Sequence, residues 1–168
     1  MRHVFLINPR AGKRDRTARI RALADRLAAS HGLDCQCLLT DRPGGAEALS
    51  RALAEAGESV RLYVCGGDGT VHEAANGLAG FSNAAMTVIP TGTGNDFLKN
   101  FGPDAVKFSD PEICGTGRNS PWISSTAMAA CASPSPAAAS TPASPTPSTG
   151  TAVSHCSPAG GVTCCPWR

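Results

Sequence analysis

The chain has 168 residues, which is room for one ordinary domain, and its formal net charge is only +2. That charge is too small to favour a nucleic-acid partner, and no segment approaches the roughly 18 apolar residues that a membrane-spanning helix needs. All 13 acidic residues lie at or before Glu112, whereas five of the eight cysteines follow it. We therefore expect a cytoplasmic N-terminal domain with reduced thiols, and then a segment of different character.

The first 110 residues alternate between strand and helix patterns. In chain order, the predicted elements are a strand at 3–8, a helix at 14–30, a strand at 34–40, a helix at 46–56, a strand at 60–65, a helix at 70–79, a strand at 86–90 and a short helix ending near 100. Continuous apolar strands separated by amphipathic helices indicate a parallel sheet that is covered on both faces. The predicted fold is therefore a three-layer α/β domain.

Polar, glycine-rich segments follow the first, third and fourth predicted strands. They comprise residues 8–13, 66–70 and 90–97. In a parallel sheet, ligands bind at the carboxyl ends of the strands, and these ends lie at one edge of the sheet. The sequence therefore predicts that the three segments converge on one ligand site.

Residues 66–70 read Gly-Gly-Asp-Gly-Thr and connect the third strand to the third helix. Glycine lets the backbone approach a ligand closely, and the amide groups at the start of a helix favour phosphate. Asp68 would repel a bare phosphate, so its presence suggests a bound metal ion or a ribose hydroxyl as well. The segment matches neither a Walker A loop nor the Rossmann glycine pattern. The alternative is a tight turn without a ligand.

The other two segments have simpler alternative explanations. Thr93 offers a hydroxyl, but Asn95 and Asp96 stand where a helix begins, so Asn95 could be an N-cap that binds no ligand. Asn8 could bind a base, a ribose or a phosphate, yet residues 8–13 alone read as a plain connection between a strand and a helix. The convergence of the three segments is therefore stronger evidence for a ligand site than any one segment alone.

Together the three segments resemble the catalytic domain of the diacylglycerol kinase family. The matching residues are Asn8-Pro9 with Ala11-Gly12, residues 66–73 with Asn76-Gly77, and residues 90–97. The superfamily also includes sphingosine kinases, bacterial lipid kinases and, more distantly, NAD kinases and phosphofructokinases. The resemblance covers residues 1–110 as an ATP-binding domain. It implies a kinase that uses ATP and Mg²⁺ to phosphorylate a lipid hydroxyl, such as that of diacylglycerol. An NAD-kinase-like enzyme is the alternative, although residues 90–97 look more like the lipid-kinase branch.

The resemblance also implies which residues serve the site. Asp68 and Asp96 would be catalytic, with Asp96 near the acceptor side, and the residues that hold the metal ion stay open. The expected nucleotide-binding residues are Asn8, Pro9, Thr40, Gly66, Gly67, Asp68, Gly69, Thr70, Val71, His72, Glu73, Thr93, Gly94 and Asn95. A lipid acceptor further implies a protein that works in the cytoplasm, at the periphery of the inner membrane face.

Residues 111–168 have a different composition. Residues 132–150 are nearly all Ala, Ser, Pro and Thr, and such a segment cannot bury enough apolar surface to offset the entropy cost of ordering it. We therefore expect a disordered tail. It has two interpretations, a natural low-complexity segment or a GC-rich coding sequence read in a shifted frame, and the second fits the absence of acidic residues after Glu112.

The family's second domain, a β-sandwich, is not recognisable in residues 111–168. Phosphoryl transfer needs charged groups on both sides of the γ-phosphate, so we expect transfer by this chain to be impaired. The alternative is a nucleotide-binding module without catalysis. A sheet that normally abuts a second domain would also expose apolar surface, which favours self-association.

Overall fold

The structure, a computed structural model, describes residues 1–109 and 122–124. In chain order its elements are β1 (Arg2–Ile7), α1 (Thr17–His31), β2 (Asp34–Leu39), α2 (Gly45–Glu55), β3 (Val60–Gly66), α3 (Asp68–Leu78), β4 (Ala84–Pro90), α4 (Asp96–Lys99), a 3-10 helix (Gly102–Ser109) and β5 (Ile123–Ser124). The four predicted strands and the predicted helices between them are all present. The predicted α/β architecture is therefore confirmed.

The five strands form one sheet in the order β2-β1-β3-β4-β5. The first four are parallel, and β5 pairs antiparallel with β4. Ile7, at the end of β1, pairs with Leu39 on one side and with Cys65 on the other. The carboxyl ends of the parallel strands are therefore level, at one edge of the sheet.

Each face of the sheet has its own apolar core, because successive side chains of a strand point to opposite faces. Val4 and Leu6 of β1 join the core that α2 and α3 cover, whereas Phe5 and Ile7 join the core that α1 covers. The α1 side chains in that second core are Ile20, Leu23, Ala24 and Leu27. The sheet thus lies between two helical layers, as the amphipathic stripe of α1 predicted.

The third helix begins earlier than predicted. It begins at Asp68 rather than at residue 70, and Gly67 is its N-cap residue, with an extended backbone of φ −99° and ψ −174°. Since β3 ends at Gly66, Gly67 alone separates the strand from the helix. Asp68, Gly69 and Thr70 therefore form the first helical turn and not a loop.

Two elements were not predicted, the 3-10 helix (Gly102–Ser109) and β5. Ile123 of β5 pairs with Met86, and the Trp122 ring packs edge-on against Tyr63 with 5.0 Å between ring centroids. Residues 122–124 thus pair with the sheet although they fall within the predicted tail at 111–168, which stays a prediction. Its remaining residues, including 132–150, lie outside the described part of the chain.

None of the helices in residues 1–109 and 122–124 is both long enough and apolar enough to cross a membrane.

Candidate functional site

A cavity of about 480 Å³ opens where β1 and β3 lie side by side and end. The helix after β1 covers one face of the sheet, and the helix after β3 covers the other. Such a change of direction leaves a crevice outside the strand ends, which is where ligands bind in open parallel sheets. The cavity is lined by segments that follow β1, β2, β3 and β4. The predicted convergence of the glycine-rich segments is therefore present.

The structure brings nine of the predicted site residues together around the cavity. They are Asn8, Thr40, Gly67, Asp68, Gly69, Thr70, Glu73, Thr93 and Gly94. Six others do not line it. They are Pro9, Gly66, Val71, His72, Asn95 and Asp96. The predicted set thus divides into residues placed to meet a ligand and residues with other surroundings.

The first turn of α3 presents backbone amides to the cavity. No side chain caps this helix, and the first intrahelical hydrogen bond runs from the Val71 amide to the Gly67 carbonyl at 3.1 Å. The amides of Asp68, Gly69 and Thr70 precede it and have no acceptor within the helix. A helix start of this kind, with three of its residues in the cavity wall, favours an anionic ligand.

Glycines let the neighbouring segments come close to one another. A Cβ added to Gly92 would lie 2.6 Å from the Cα of Gly67, so the two backbones pack with no room for side chains. Gly12 has φ +81°, and a Cβ added there would overlap the carbonyl oxygen of Thr91. These contacts hold the segments after β1, β3 and β4 together at the mouth of the cavity.

Asp68 and Asp96 have different surroundings, although both were predicted to be catalytic. The Asp68 carboxylate lines the cavity, and its Oδ1 accepts a hydrogen bond from the Phe97 amide at 3.0 Å. Asp96 is exposed, accepts a hydrogen bond from Lys99 Nζ and thereby raises the pKa of that ammonium. The structure therefore places Asp68, and not Asp96, where a ligand in the cavity would meet it.

Asn95 is the N-cap residue of α4, but its side chain does not cap the helix. Its backbone is left-handed, with φ 51° and ψ 42°, and its Nδ2 donates to the Gly92 carbonyl at 3.0 Å. The N-cap hydrogen bond of the alternative explanation is therefore not formed. The Asn95 side chain instead ties the start of α4 to the glycine-rich segment after β4.

Glu73, Val71 and His72 follow one another on α3 but serve different neighbours. Glu73 Oε2 accepts a hydrogen bond from the Ala46 amide at 3.2 Å, so this side chain satisfies an amide at the start of α2. Val71 is buried in the apolar core, and exposed His72 lies with Nε2 3.2 Å from Asn76 Nδ2. Glu73 alone of these three reaches the cavity.

The cavity wall contains two cationic side chains that were not predicted as site residues. Arg10 follows β1, Arg42 follows β2, and both side chains are exposed at the cavity. Arg10 belongs to one of the three glycine-rich segments, whereas Arg42 lies between the predicted strand at 34–40 and the predicted helix at 46–56, outside all three segments. A basic residue just after a strand that ends at the ligand edge was the available signal. The acidic residues of the wall are Asp41, Asp68 and Glu73.

The donor set fits a metal ion that arrives with phosphate. Within residues 1–109 and 122–124, no three His, Cys, Asp or Glu side chains are grouped to hold a metal ion. Mg²⁺ is usually bound through one or two carboxylates together with phosphate oxygens and water. Of the three carboxylates in the wall, Asp68 stands in the uncapped first turn of α3, beside the amides that favour phosphate, so it would hold such an ion together with phosphate oxygens.

Comparison with known proteins shows similarity to one family and to two kinases from Bacillus subtilis. The family described as "Diacylglycerol kinase catalytic domain" matches residues 2–116. The Bacillus subtilis protein YtlR, whose name places it among the lipid kinases, is 36% identical over 99 residues, covering 58% of this chain and 32% of that protein. The Bacillus subtilis protein named diacylglycerol kinase is 43% identical over 61 residues, covering 34% of this chain and 20% of that protein.

Solved structures agree with the sequence matches. The crystal structure of a diacylglycerol kinase from Bacillus anthracis aligns with a TM-score of 0.51 and 33% identity, over 60% of this chain and 36% of that one. The chain thus spans about a third or less of the length of the curated relatives that it matches. With the family match over more than half of its residues, the chain belongs to the family of the diacylglycerol kinase catalytic domain.

Proposed function

We propose that residues 1–110 are the ATP-binding part of a lipid kinase, which transfers the γ-phosphate of ATP to a lipid hydroxyl such as that of diacylglycerol. The observation that carries this proposal is the cavity at the ends of β1 and β3, whose wall contains the uncapped first turn of α3, with Asp68, and two arginines. Membership of the family supports the choice of reaction. The proposed site of action is the cytoplasmic face of a membrane.

The charges around the cavity suit a nucleotide phosphate chain. The amides of Gly69 and Thr70 and the guanidinium groups of Arg10 and Arg42 supply positive charge for the phosphate oxygens. Asp68 would hold Mg²⁺ together with those oxygens, and the ion supplies charge neutralisation during phosphoryl transfer. Without Mg²⁺, the Asp68 carboxylate repels the nucleotide, so we expect binding to depend on the metal.

Calorimetric titration of the purified chain with ATP, with and without MgCl₂, tests this proposal. Asp68→Asn keeps the shape of the side chain and removes its charge, and we expect it to abolish the gain in ATP affinity that Mg²⁺ gives. Asp25→Asn is the matched control, because Asp25 is an exposed carboxylate on α1 outside the cavity wall. Equal Mg²⁺ dependence in the wild type and in Asp68→Asn would refute the role of Asp68.

One observation favours binding without transfer as a second candidate function. Asp96, expected at the acceptor side, is exposed and paired with Lys99 instead of lining the cavity. An assay with radiolabelled ATP and diacylglycerol in detergent micelles separates the two candidates. Labelled phosphatidic acid supports the kinase, whereas ATP binding without a labelled product supports the nucleotide-binding module. Labelling of NAD offered in place of the lipid would indicate an NAD-kinase-like acceptor.

A further inference from the structure

The side chain of Asn8 joins the segment after β1 to the first turn of α3. Its Nδ2 donates to Thr70 Oγ1 at 2.9 Å, and its Oδ1 accepts from the backbone amide of Arg10 at 3.0 Å. Both polar ends of the amide therefore have a protein partner. Asn8 lies in the cavity wall, and the protein engages the oxygen and one N–H of its side-chain amide.

The Arg10 contact fixes the orientation of the Asn8 amide. A backbone N–H can only donate, so the group that faces Arg10 must be the oxygen, and the NH₂ group must face Thr70. The Thr70 hydroxyl then receives a hydrogen bond on its oxygen. Its own single proton is left to point elsewhere.

A threonine in a helix commonly turns its hydroxyl proton back to the carbonyl four residues earlier. Here that carbonyl belongs to Gly66, and it already accepts the Thr91 and Gly92 amides at 3.1 and 3.3 Å. Within residues 1–109 and 122–124, no side-chain or backbone oxygen accepts the Thr70 proton. The Thr70 hydroxyl therefore lies in the cavity wall, and its proton is available to donate a hydrogen bond to a ligand.

The Thr70 side chain is also held firmly in place. Only 6% of its surface is exposed, and a Cβ on Gly66 would lie 2.5 Å from both Cβ and Oγ1 of Thr70. The Thr70 side chain thus occupies the space that a side chain at residue 66 would need. The backbone position of Gly66 and the amide of Asn8 together fix where the hydroxyl is and which way its proton points.

We propose that Asn8 is a positioning residue that sets the Thr70 hydroxyl as a hydrogen-bond donor to a phosphate oxygen of the bound nucleotide. This inference rests on the proposed function. It gives Asn8 a role in addition to the expected contact with the nucleotide. In this role Asn8 acts on the ligand through Thr70, so its contribution to binding exists only while the hydroxyl is present and only for a ligand that carries phosphate.

A double-mutant cycle of Asn8→Ala and Thr70→Val tests the inference, with calorimetric titration of ATP-Mg²⁺ and of adenosine. Loss of a hydrogen bond to a charged group should weaken ATP binding about 10- to 100-fold in Thr70→Val. Asn8→Ala should weaken it about 3- to 10-fold, because the hydroxyl is free to turn away. Thr70→Ser keeps the hydroxyl and should bind ATP like the wild type. Adenosine affinity should stay unchanged in all three.

The decisive comparison is Asn8→Ala in the Thr70→Val background, where we expect no further loss of ATP affinity. Losses that multiply in the double variant, or an equal loss of adenosine affinity, would overturn the inference while leaving the proposed function intact. A wild-type chain that binds neither ligand would overturn both. Asn76→Ala is the matched control, because Asn76 lies on α3 outside the cavity wall and should not change either affinity.

A second variant covers the case in which Asn8→Ala fails to fold. Asn8→Asp keeps the acceptor for the Arg10 amide, but its carboxylate accepts the Thr70 proton and draws it away from the ligand. With Thr70 present, we expect Asn8→Asp to lower ATP affinity. In the Thr70→Val background the loss caused by Asn8→Asp should be smaller, because only the effect of the added charge remains. An equal loss in both backgrounds would contradict the inference.

Discussion

The Asp68 carboxylate accepts a hydrogen bond from the backbone amide of Phe97, with 3.0 Å between Oδ1 and N. This contact joins the first turn of α3 to the first turn of α4, two helices that follow the neighbouring strands β3 and β4. It occupies one carboxylate oxygen. A Cβ added to Gly94 would lie 3.0 Å from the other oxygen, Oδ2, so the segment after β4 closes over the carboxylate. Asp68 therefore combines a structural contact with a position in the cavity wall.

Two variants of Asp68 separate these contributions. Asp68→Ala removes the acceptor for the Phe97 amide, and we expect the free energy of unfolding to fall by about 1 kcal/mol, as for the loss of a helix cap. Asp68→Asn keeps an acceptor oxygen, so its stability should stay close to that of the wild type. Urea denaturation measures both values. Equal destabilisation in the two variants would show that the hydrogen bond is not the stabilising interaction.

Glu73 should stabilise the start of α2. No residue near Gly44 caps this helix with its side chain, and the Ala46 amide instead donates to Glu73. We expect Glu73→Ala to lower the free energy of unfolding by about 1 kcal/mol. Glu73→Gln retains an acceptor and should lose less than half of that. The account of this contact is wrong if denaturation finds Glu73→Ala as stable as the wild type.

Gly77 is required where α2 and α3 pack together. A Cβ there would overlap the carbonyl oxygen of Glu47 and lie 2.8 Å from the Ser50 Cβ. Alanine gains about 1 kcal/mol of helix propensity, but overpacking costs about 1–3 kcal/mol, so Gly77→Ala should be destabilising overall. Gly69→Ala is the matched control, since an added Cβ at Gly69 in the same helix meets nothing within 4 Å. Thermal unfolding that shifts both variants in the same direction would contradict this packing.

Buried His3 should make stability depend on pH. Burial, and then the nearby Arg61 guanidinium and the chain's amino terminus, lower the pKa of His3 below its ordinary 6.5, against the weaker opposing effect of Asp34. In the window below 6.5 the unfolded chain takes up a proton that the folded chain excludes, so stability is lost as the pH falls from 6.5 towards the folded-state pKa.

Urea denaturation from about pH 7 to about pH 5 tests this dependence in the wild type and in His3→Gln. The wild type should lose stability over this range more steeply than the variant, because glutamine does not titrate. Identical slopes in the two proteins would contradict the role of His3. The variant retains every other titratable group, so the difference between the two slopes belongs to His3 alone.

Local patterns in the sequence were sufficient for the four parallel strands, for α1 to α4 and for the edge at which the glycine-rich segments meet. Ile20, Leu23 and Leu27 form the buried stripe of α1 because a helical period is a property of neighbouring residues. Arg42 was missed because its place in the cavity depends on β2 lying beside β1, which no local pattern encodes.

Other contacts of the site depend on packing between elements that are distant in the sequence. The Glu73–Ala46 hydrogen bond needs α2 and α3 side by side, and β5 needs the free edge of β4. Asp96 stands next to the site in the sequence, but the first turn of α4 leaves its carboxylate exposed beside Lys99. Local sequence therefore predicted where the candidate site lies in the fold, whereas the contacts of individual side chains required the tertiary structure.

The central claim is that the cavity at the ends of β1, β3 and β4 binds the phosphates of ATP. The most direct test is an NMR titration of the ¹⁵N-labelled chain with ATP-Mg²⁺, which reports on every backbone amide separately. We predict that the amide signals of Gly69, Thr70 and Gly94 move on binding, while those of Asp34 and Cys35, at the opposite edge of the sheet, stay in place. Signals that do not move at the cavity, or that move chiefly at Asp34 and Cys35, would contradict the account.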